Sequence, residues 1–298
     1  MRSLPQLRGK EIMSFDFEFK GRHVAEILHM DKDTAIEWHT AMKEVLPKYD
    51  ITTPERVAGF LAQTGHESNG YKVLTENLNY SAKALNSLFS KYFAKAGRNA
   101  DDYHRQPEKI ANVIYANRMD NGDTASGDGW RFRGGGILQL TGRHNYTKFG
   151  ESVGMSAEEA TEYVRTPKGA LESACWFWKT NNLNKYCDNH DIVTLSKRVN
   201  GGTIGLEDRV EHWEHAIALF TGKEAPKPVR ESAPAGTTIL KKGSKGPLVK
   251  KMQEVLGLDA DGDFGPGTER AVKHWQSENG LTADGIVGPK TLAKMGIS

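Results

Sequence analysis

Two carboxylates nine residues apart carry the sharpest chemical suggestion in this sequence. Glu67 stands in Phe60-Leu-Ala-Gln63-Thr-Gly-His66-Glu67-Ser68, where an apolar-faced helix comes to its end. Glu76 follows in Leu74-Thr-Glu76-Asn77-Leu-Asn79-Tyr80-Ser81, a polar, amide-rich stretch ahead of the next helix start. The carbonyl end of a helix disfavours negative charge, which favours a neutral Glu67 carboxyl, while the amides suit an ionised Glu76. One neutral and one charged carboxyl across a cleft is the equipment of glycoside hydrolysis. Spacing alone does not separate such a pair from two solvated surface glutamates.

Three other motifs point toward metal chemistry and fall short. His66-Glu67 opens like HExxH, but position 70 is Gly, so the second ligand is missing. His212 and His215 sit beside Glu211 and Glu214 on one helix, a pattern that reads as charged surface. Asp259-Ala-Asp-Gly-Asp263 begins like a calcium loop, yet Phe264 replaces the turn glycine and Arg270 the bidentate glutamate. No metal or other cofactor is expected. Cys175 and Cys187 lie twelve apart without a CxxC, and two reduced, packed thiols are expected rather than a disulfide.

The elements that must hold these residues read as helices. Thr53-Pro54-Glu55 starts one, with Val57, Phe60 and Leu61 on its stripe and Asn69-Gly70 as its stop. Ser81 opens a second, with Leu85, Leu88, Phe89 and Tyr92 on one face. Ser156 to Glu159 forms a capping box, and Pro167 starts a helix carrying Leu171, Ala174 and Trp178. Asp208 precedes another, with Val210, Trp213, Ile217 and Phe220. Residues 119–136 are rich in Gly, Asp and Asn, and no long alternating strand occurs. The fold class is mainly α, with long loops.

A Pro- and Ala-rich stretch, residues 223–237, divides the chain. The expected organisation is an N-terminal extension (1–20), a large domain (21–222), this linker, and a small domain (238–298). Residues 1–222 hold 28 basic and 29 acidic groups, and residues 223–298 hold 12 and 9. With 40 basic and 38 acidic residues in 298, the balance excludes a dedicated nucleic-acid binder. No apolar run reaches the ~20 residues that span a bilayer, and the charged N-terminus does not resemble a signal peptide. In the small domain, Asp261-Gly-Asp-Phe-Gly265-Pro-Gly-Thr268 recurs as Asp284-Gly-Ile-Val-Gly288-Pro-Lys-Thr291. Each copy offers two tight turns and a Thr expected to cap the following helix, giving three short helices around one core. The helix stripes expected there are Leu248, Met252, Val255 and Leu256, then Ala271, Val272 and Trp275, then Leu292 and Met295.

Residues 238–298 resemble the peptidoglycan-binding domain 1 family. The match runs through Leu240-x-x-Gly243-x-x-Gly246-x-x-Val249, the two Asp-Gly turns, and Gly280-Leu281. In the large domain, AQxxHES and ENLNYS are joined by Ser126-Gly-Asp-Gly-Trp130-Arg-Phe-Arg-Gly-Gly-Gly136-Ile-Leu-Gln139-Leu-Thr141-Gly-Arg-His-Asn145-Tyr. Arg198-Val-Asn200-Gly-Gly-Thr-Ile-Gly205-Leu-Glu-Asp-Arg209 follows. These four motifs, in this order over about residues 35–220, resemble glycoside hydrolase family 19, with bacteriophage endolysins closer than plant chitinases. The resemblance implies a lysozyme-like helical domain with Glu67 as general acid, Glu76 as general base and Thr141 helping to hold the attacking water. It also implies that Gln139, Asn145, Asn200 and Arg209 line the sugar cleft. For Gln139 and Asn145 a loop-capping role stays open, and for Asn200 so does its Asn-Gly-Gly turn. One departure is Gly134-Gly135-Gly136, where the family carries Gly-Arg-Gly; Arg133 or Arg143 then supplies that charge, or it is lost. Another is Asp120, where Gly is common.

Together the resemblances imply a modular endolysin that inverts β-1,4 bonds of peptidoglycan, its two carboxyls roughly 6.5–9.5 Å apart. Peptidoglycan is the expected partner at both domains, with no nucleic acid and no membrane insertion, and the protein is expected as a monomer. It would wait in the host cytoplasm until another protein opened the membrane. The alternatives are a chitinase, a wall-anchored amidase or peptidase, and a catalytically dead wall binder.

Overall fold

The computed structural model describes residues 14–203, 205–227, 239–279, 281 and 284–297. Residues 1–13, Ile204 and most of the expected linker, residues 228–237, lie outside them. The chain divides into two compact units, residues 1–199 with 205–229, and residues 200–204 with 230–298. Among the described residues the regular structure is helical, with isolated β-bridges only. None of the helices there is long and apolar enough to cross a membrane.

The first unit runs α1 (Gly21–Ile27), α2 (Lys32–Val45), α3 (Pro54–Glu67), α4 (Ala82–Leu88), α5 (Pro107–Ile114) and α6 (Asp128–Arg131). It continues with α7 (Arg143–Val153), α8 (Ala157–Tyr163), α9 (Pro167–Thr180), α10 (Asn184–Asp188), α11 (Ile192–Asn200) and α12 (Leu206–Thr221). Helix α3 is the axis. Its N-terminus is set by Thr53, whose hydroxyl accepts the Arg56 N–H at 3.2 Å, and by Pro54 at the first position. Every residue from Val57 to Gly65 is buried, so the helix is enclosed on all sides. It packs against α12 and α10, and Phe60 meets Trp178 of α9 edge to face, ring centroids 5.1 Å apart. The Ser156–Glu159 capping box and the Pro167 start form as the sequence indicates.

One expected stripe does not form as read. Helix α4 ends at Leu88, after seven residues, and Phe89 leaves helical geometry. The chain then turns away, so Leu88 is 69% exposed while Leu85 is fully buried.

The second unit contains α13 (Pro247–Val255), α14 (Pro266–Glu278) and α15 (Pro289–Met295). Its core joins Met252, Phe264, Val272, Val287 and Leu292, while Val255, expected inside, is 45% exposed. The repeat extends to a pair of buried glutamines. Gln253 donates to Asp261 Oδ1 at 2.7 Å and the Asp263 carbonyl at 3.0 Å, and accepts the Gly262 N–H at 2.8 Å. Gln276 repeats this with Asp284, the Ile286 carbonyl and Gly285 at 2.9 Å each. Thr291 is no cap: Pro289 occupies the first helical position, so Thr291 sits inside the turn and accepts from Gln276 at 3.4 Å.

Both cysteines are free and buried, and burial pushes both thiols well above their usual range. Cys187 explains a glycine inside α3. A Cβ on Gly59 would lie 2.4 Å from Cys187 Sγ. Gly59→Ala should therefore destabilise by about 1–3 kcal/mol, despite a helix-propensity gain of ~1 kcal/mol. Cys187→Ala in the same chain should restore stability; denaturant unfolding of both variants checks this.

Candidate active site

The last residue of α3 and the first turn of α12 make the first half of the site. Arg209 donates through Nη2 to Glu67 Oε1 and through Nη1 to Gln63 Oε1 at 2.6 Å. Gln63 passes the connection on, donating to Ser196 Oγ at 2.9 Å, and Ser196 donates to the Ile192 carbonyl at 2.7 Å. Arg209 is 1% exposed, whereas the Glu67 side chain is 30% exposed. The expectation that Arg209 lines the sugar cleft is corrected: its guanidinium is sealed behind Glu67 and reaches a sugar only through it.

The turn after Glu67 is pinned. Asn69, Gly70 and Tyr71 all have positive φ, at 52°, 64° and 63°. For Asn and Tyr such geometry costs of order 1 kcal/mol or more and needs outside support. Ser68 Oγ donates to the Thr64 carbonyl at 2.7 Å and accepts the Tyr71 N–H at 3.0 Å. Thr64 gives its own proton to the Phe60 carbonyl, so the buried Tyr71 hydroxyl donates to Thr64 Oγ1 at 2.7 Å.

The second half centres on Glu76. Its Oε1 accepts the Tyr115 hydroxyl at 2.7 Å, and its Oε2 accepts the Gly134 N–H at 3.1 Å. The backbone is fastened to the same strip, Glu76 N–H to the Gly134 carbonyl and Gly136 N–H to the Leu74 carbonyl, each at 2.9 Å. Burial and then the Glu76 contact push the Tyr115 hydroxyl far above its ordinary value, so it keeps its proton as a donor. The triple glycine is closely packed. A Cβ on Gly134 would come within 2.6 Å of Gln139 Oε1, and one on Gly135 within 2.5 Å of Tyr146 Oη. An arginine at position 135 has no room. Of the two substitutes, Arg143 is engaged with Asp128 at 2.7 Å and Glu158 at 2.9 Å. Arg133 is stacked 3.6 Å over Trp130 and donates to the Trp130 carbonyl at 2.8 Å.

Gln139, Thr141 and Asn145 share a cavity of about 340 Å³ with Trp176 and Phe177 of α9 and with Asn181 just beyond it. Neither carboxylate lines it; Gln139 connects it to Glu76 through Gly134. Thr141 donates its proton to the Gln139 carbonyl at 2.8 Å, which leaves its lone pairs to accept from water. The amides of Asn145 and Gln139 donate to the Thr141 and Gly136 carbonyls at 2.8 and 3.0 Å, so each also shapes the loop. Asn200, the last residue of α11, shapes its own turn: its Oδ1 accepts the Gly202 N–H at 2.7 Å. Among the described residues no group of three or more His, Cys, Asp or Glu could hold a metal ion.

Sequence reasoning missed Tyr115, Ser196 and the α9 face. Tyr115 lies 39 residues from Glu76 with no motif around it. The α9 face was legible in principle: Trp176, Phe177, Thr180 and Asn181 follow helical spacing, offset from the core stripe of Leu171, Ala174 and Trp178.

Glu67 on the buried Arg209, and Glu76 held by Tyr115 and Gly134, both fall within the stretch of chain that matches a glycoside hydrolase family. Residues 40–200 match the family described as chitinase class I, and residues 246–295 match the peptidoglycan binding domain. The chain belongs to glycoside hydrolase family 19 and carries a peptidoglycan-binding domain. It is 39% identical over 171 residues to a glycosyl hydrolase family 19 domain-containing protein of Haemophilus influenzae, covering 57% of this chain and 83% of that protein. It is 27% identical over 146 residues to an endochitinase of Pisum sativum, covering 49% of this chain and 38% of that one. Among solved structures it is similar to chitinase C of Streptomyces griseus, at 14% identity and a TM-score of 0.42, covering 69% and 77% of the two chains. A class IV chitinase of Zea mays gives 14%, 0.38, 74% and 90%.

Tyr115→Phe removes one donor from Glu76 without changing shape. It should lower kcat about tenfold, the worth of one hydrogen bond to a charged group, and leave the thermal midpoint within a few degrees. Steady-state rates on a soluble glycan check it.

Proposed function

We propose that this protein is a bacteriophage endolysin that hydrolyses β-1,4 bonds of the peptidoglycan backbone in the manner of lysozyme, with inversion. The observation that carries the reading is a family 19 domain and a peptidoglycan-binding domain in one chain. Glu67 protonates the departing sugar oxygen as the bond from C1 breaks. Glu76 takes a proton from the water that attacks C1 on the opposite face, and Thr141 accepts that water's other proton as a hydrogen bond. As its proton leaves, Glu67 gains negative charge beside Arg209, so the buried guanidinium stabilises the transition state more than the ground state. Gln139 and Asn145 contact sugar hydroxyl and acetamido groups. The wall domain keeps local substrate concentration high, and the enzyme acts as a monomer, held in the host cytoplasm until lysis.

A chitin reading draws on the similarity to the pea endochitinase. One experiment separates them. Purified sacculi digested with the full-length chain should release muropeptides whose new reducing ends are N-acetylmuramic acid, read by mass spectrometry. Chitin should be cut far more slowly, and Glu67→Gln should reduce release by at least about a hundredfold. Free peptides without sugar, or more than about a tenth of activity left in Glu67→Gln, would contradict the reading.

A further inference from the structure

A second cavity, of about 530 Å³, opens beside the end of α3 and takes no part in the chemistry above. Its lining includes His29 beyond α1, His66, Asn69 and Lys72 around the turn after α3, and Asp208 and His212 on α12. His66 and Asp208 immediately precede Glu67 and Arg209, so this cavity lies one residue from the proton donor on both helices. Its single acid is engaged: Asp208 Oδ2 meets His66 Nδ1 at 2.5 Å. Gly205 closes over that ring, since a Cβ there would lie 2.3 Å from His66 Nε2.

What remains is polar, with one free cation, Lys72, among the lining residues. The Asp208 carbonyl contacts His212 Nδ1 at 2.7 Å, and a carbonyl only accepts, so that nitrogen carries its proton and Nε2 is left for another partner. The His29 ring stands 5.7 Å from that of His212. Lys72 is exposed, and its ammonium has no ion-pair or hydrogen-bond partner among the described residues. The Asn69 amide completes the rim on the pinned turn.

We propose that this cavity binds a carboxylate of the peptide stem carried by the sugar next to the scissile bond. The inference rests on peptidoglycan being the substrate, and it supplies a basis for selection, since chitin bears no acidic substituent. The Lys72 ammonium and the Asn69 amide on one lining form charge-assisted and neutral hydrogen bonds to a carboxylate, a ring nitrogen of His29 or His212 adds another when it carries a proton, and a neutral sugar gains nothing comparable from the ammonium.

The test uses the full-length chain and two measurements. Glycan strands bearing stems are compared with strands stripped by an amidase, and kcat/KM is read from reducing ends. Stem-bearing strands should be preferred about tenfold; Lys72→Glu should abolish the preference and Lys72→Arg should keep it. Separately, the amidase-released stem peptide is titrated into the protein and the imidazole resonances are followed by NMR; those of His29 and His212 should move. Equal rates on both strands with unmoved imidazoles would overturn the proposal. Failure to cut either strand would instead remove the peptidoglycan reading, and the titration would still decide whether the cavity holds a carboxylate.

Discussion

The arrangement depends on one buried cation. Arg209 enters the interior on the first turn of α12 and is held there by Gln63 and Glu67 from consecutive turns of α3. Burying a guanidinium is costly unless a carboxylate and further acceptors meet it, and removing one partner of such a pair typically costs 3–5 kcal/mol. This fixes the register of α12 against α3. The end of α3, the pinned turn after it and the orientation of Glu67 all follow. The His66–Asp208 contact, one residue earlier on each helix, repeats the clamp at the surface.

Glu76 is held by a different device. Its donors are neutral, a phenol and a backbone N–H, and its backbone pairs with a glycine strip packed closely against Tyr146 and Ser173. A neutral setting leaves lone pairs on the carboxylate for a water, whereas a cationic clamp would compete for them. The two glutamates therefore differ in kind of support, a buried cation for Glu67 and neutral donors for Glu76.

Much of this was legible in the residues. Thr53-Pro54, Ser156 with Glu159, and Pro167 announced three helix starts, because such signals act within one turn of chain. Glu67 and Glu76 stood out because their surrounding words form a specific pattern. Leu88 was misread because periodicity does not reveal that a helix stops one turn early. Arg209 was recognised as a site residue but given the wrong face, since burial depends on how α12 packs. Tyr115 was silent because its only link to Glu76 is through space. The 23-residue repeat was visible in its turns, while Gln253 and Gln276 acquire meaning only once Asp261 and Asp284 fold back onto them.

The central claim is that Glu67 and Glu76 act from opposite faces of the sugar with a water between Glu76 and the anomeric carbon. The anomeric form of the first product tests it most directly, followed by proton NMR during hydrolysis of a soluble β-linked aminosugar oligomer. The account predicts the α-anomer first, with the β-anomer growing in only by mutarotation. A β-anomer at the earliest times would mean retention, and would contradict both the role of Glu76 and the water site at Thr141.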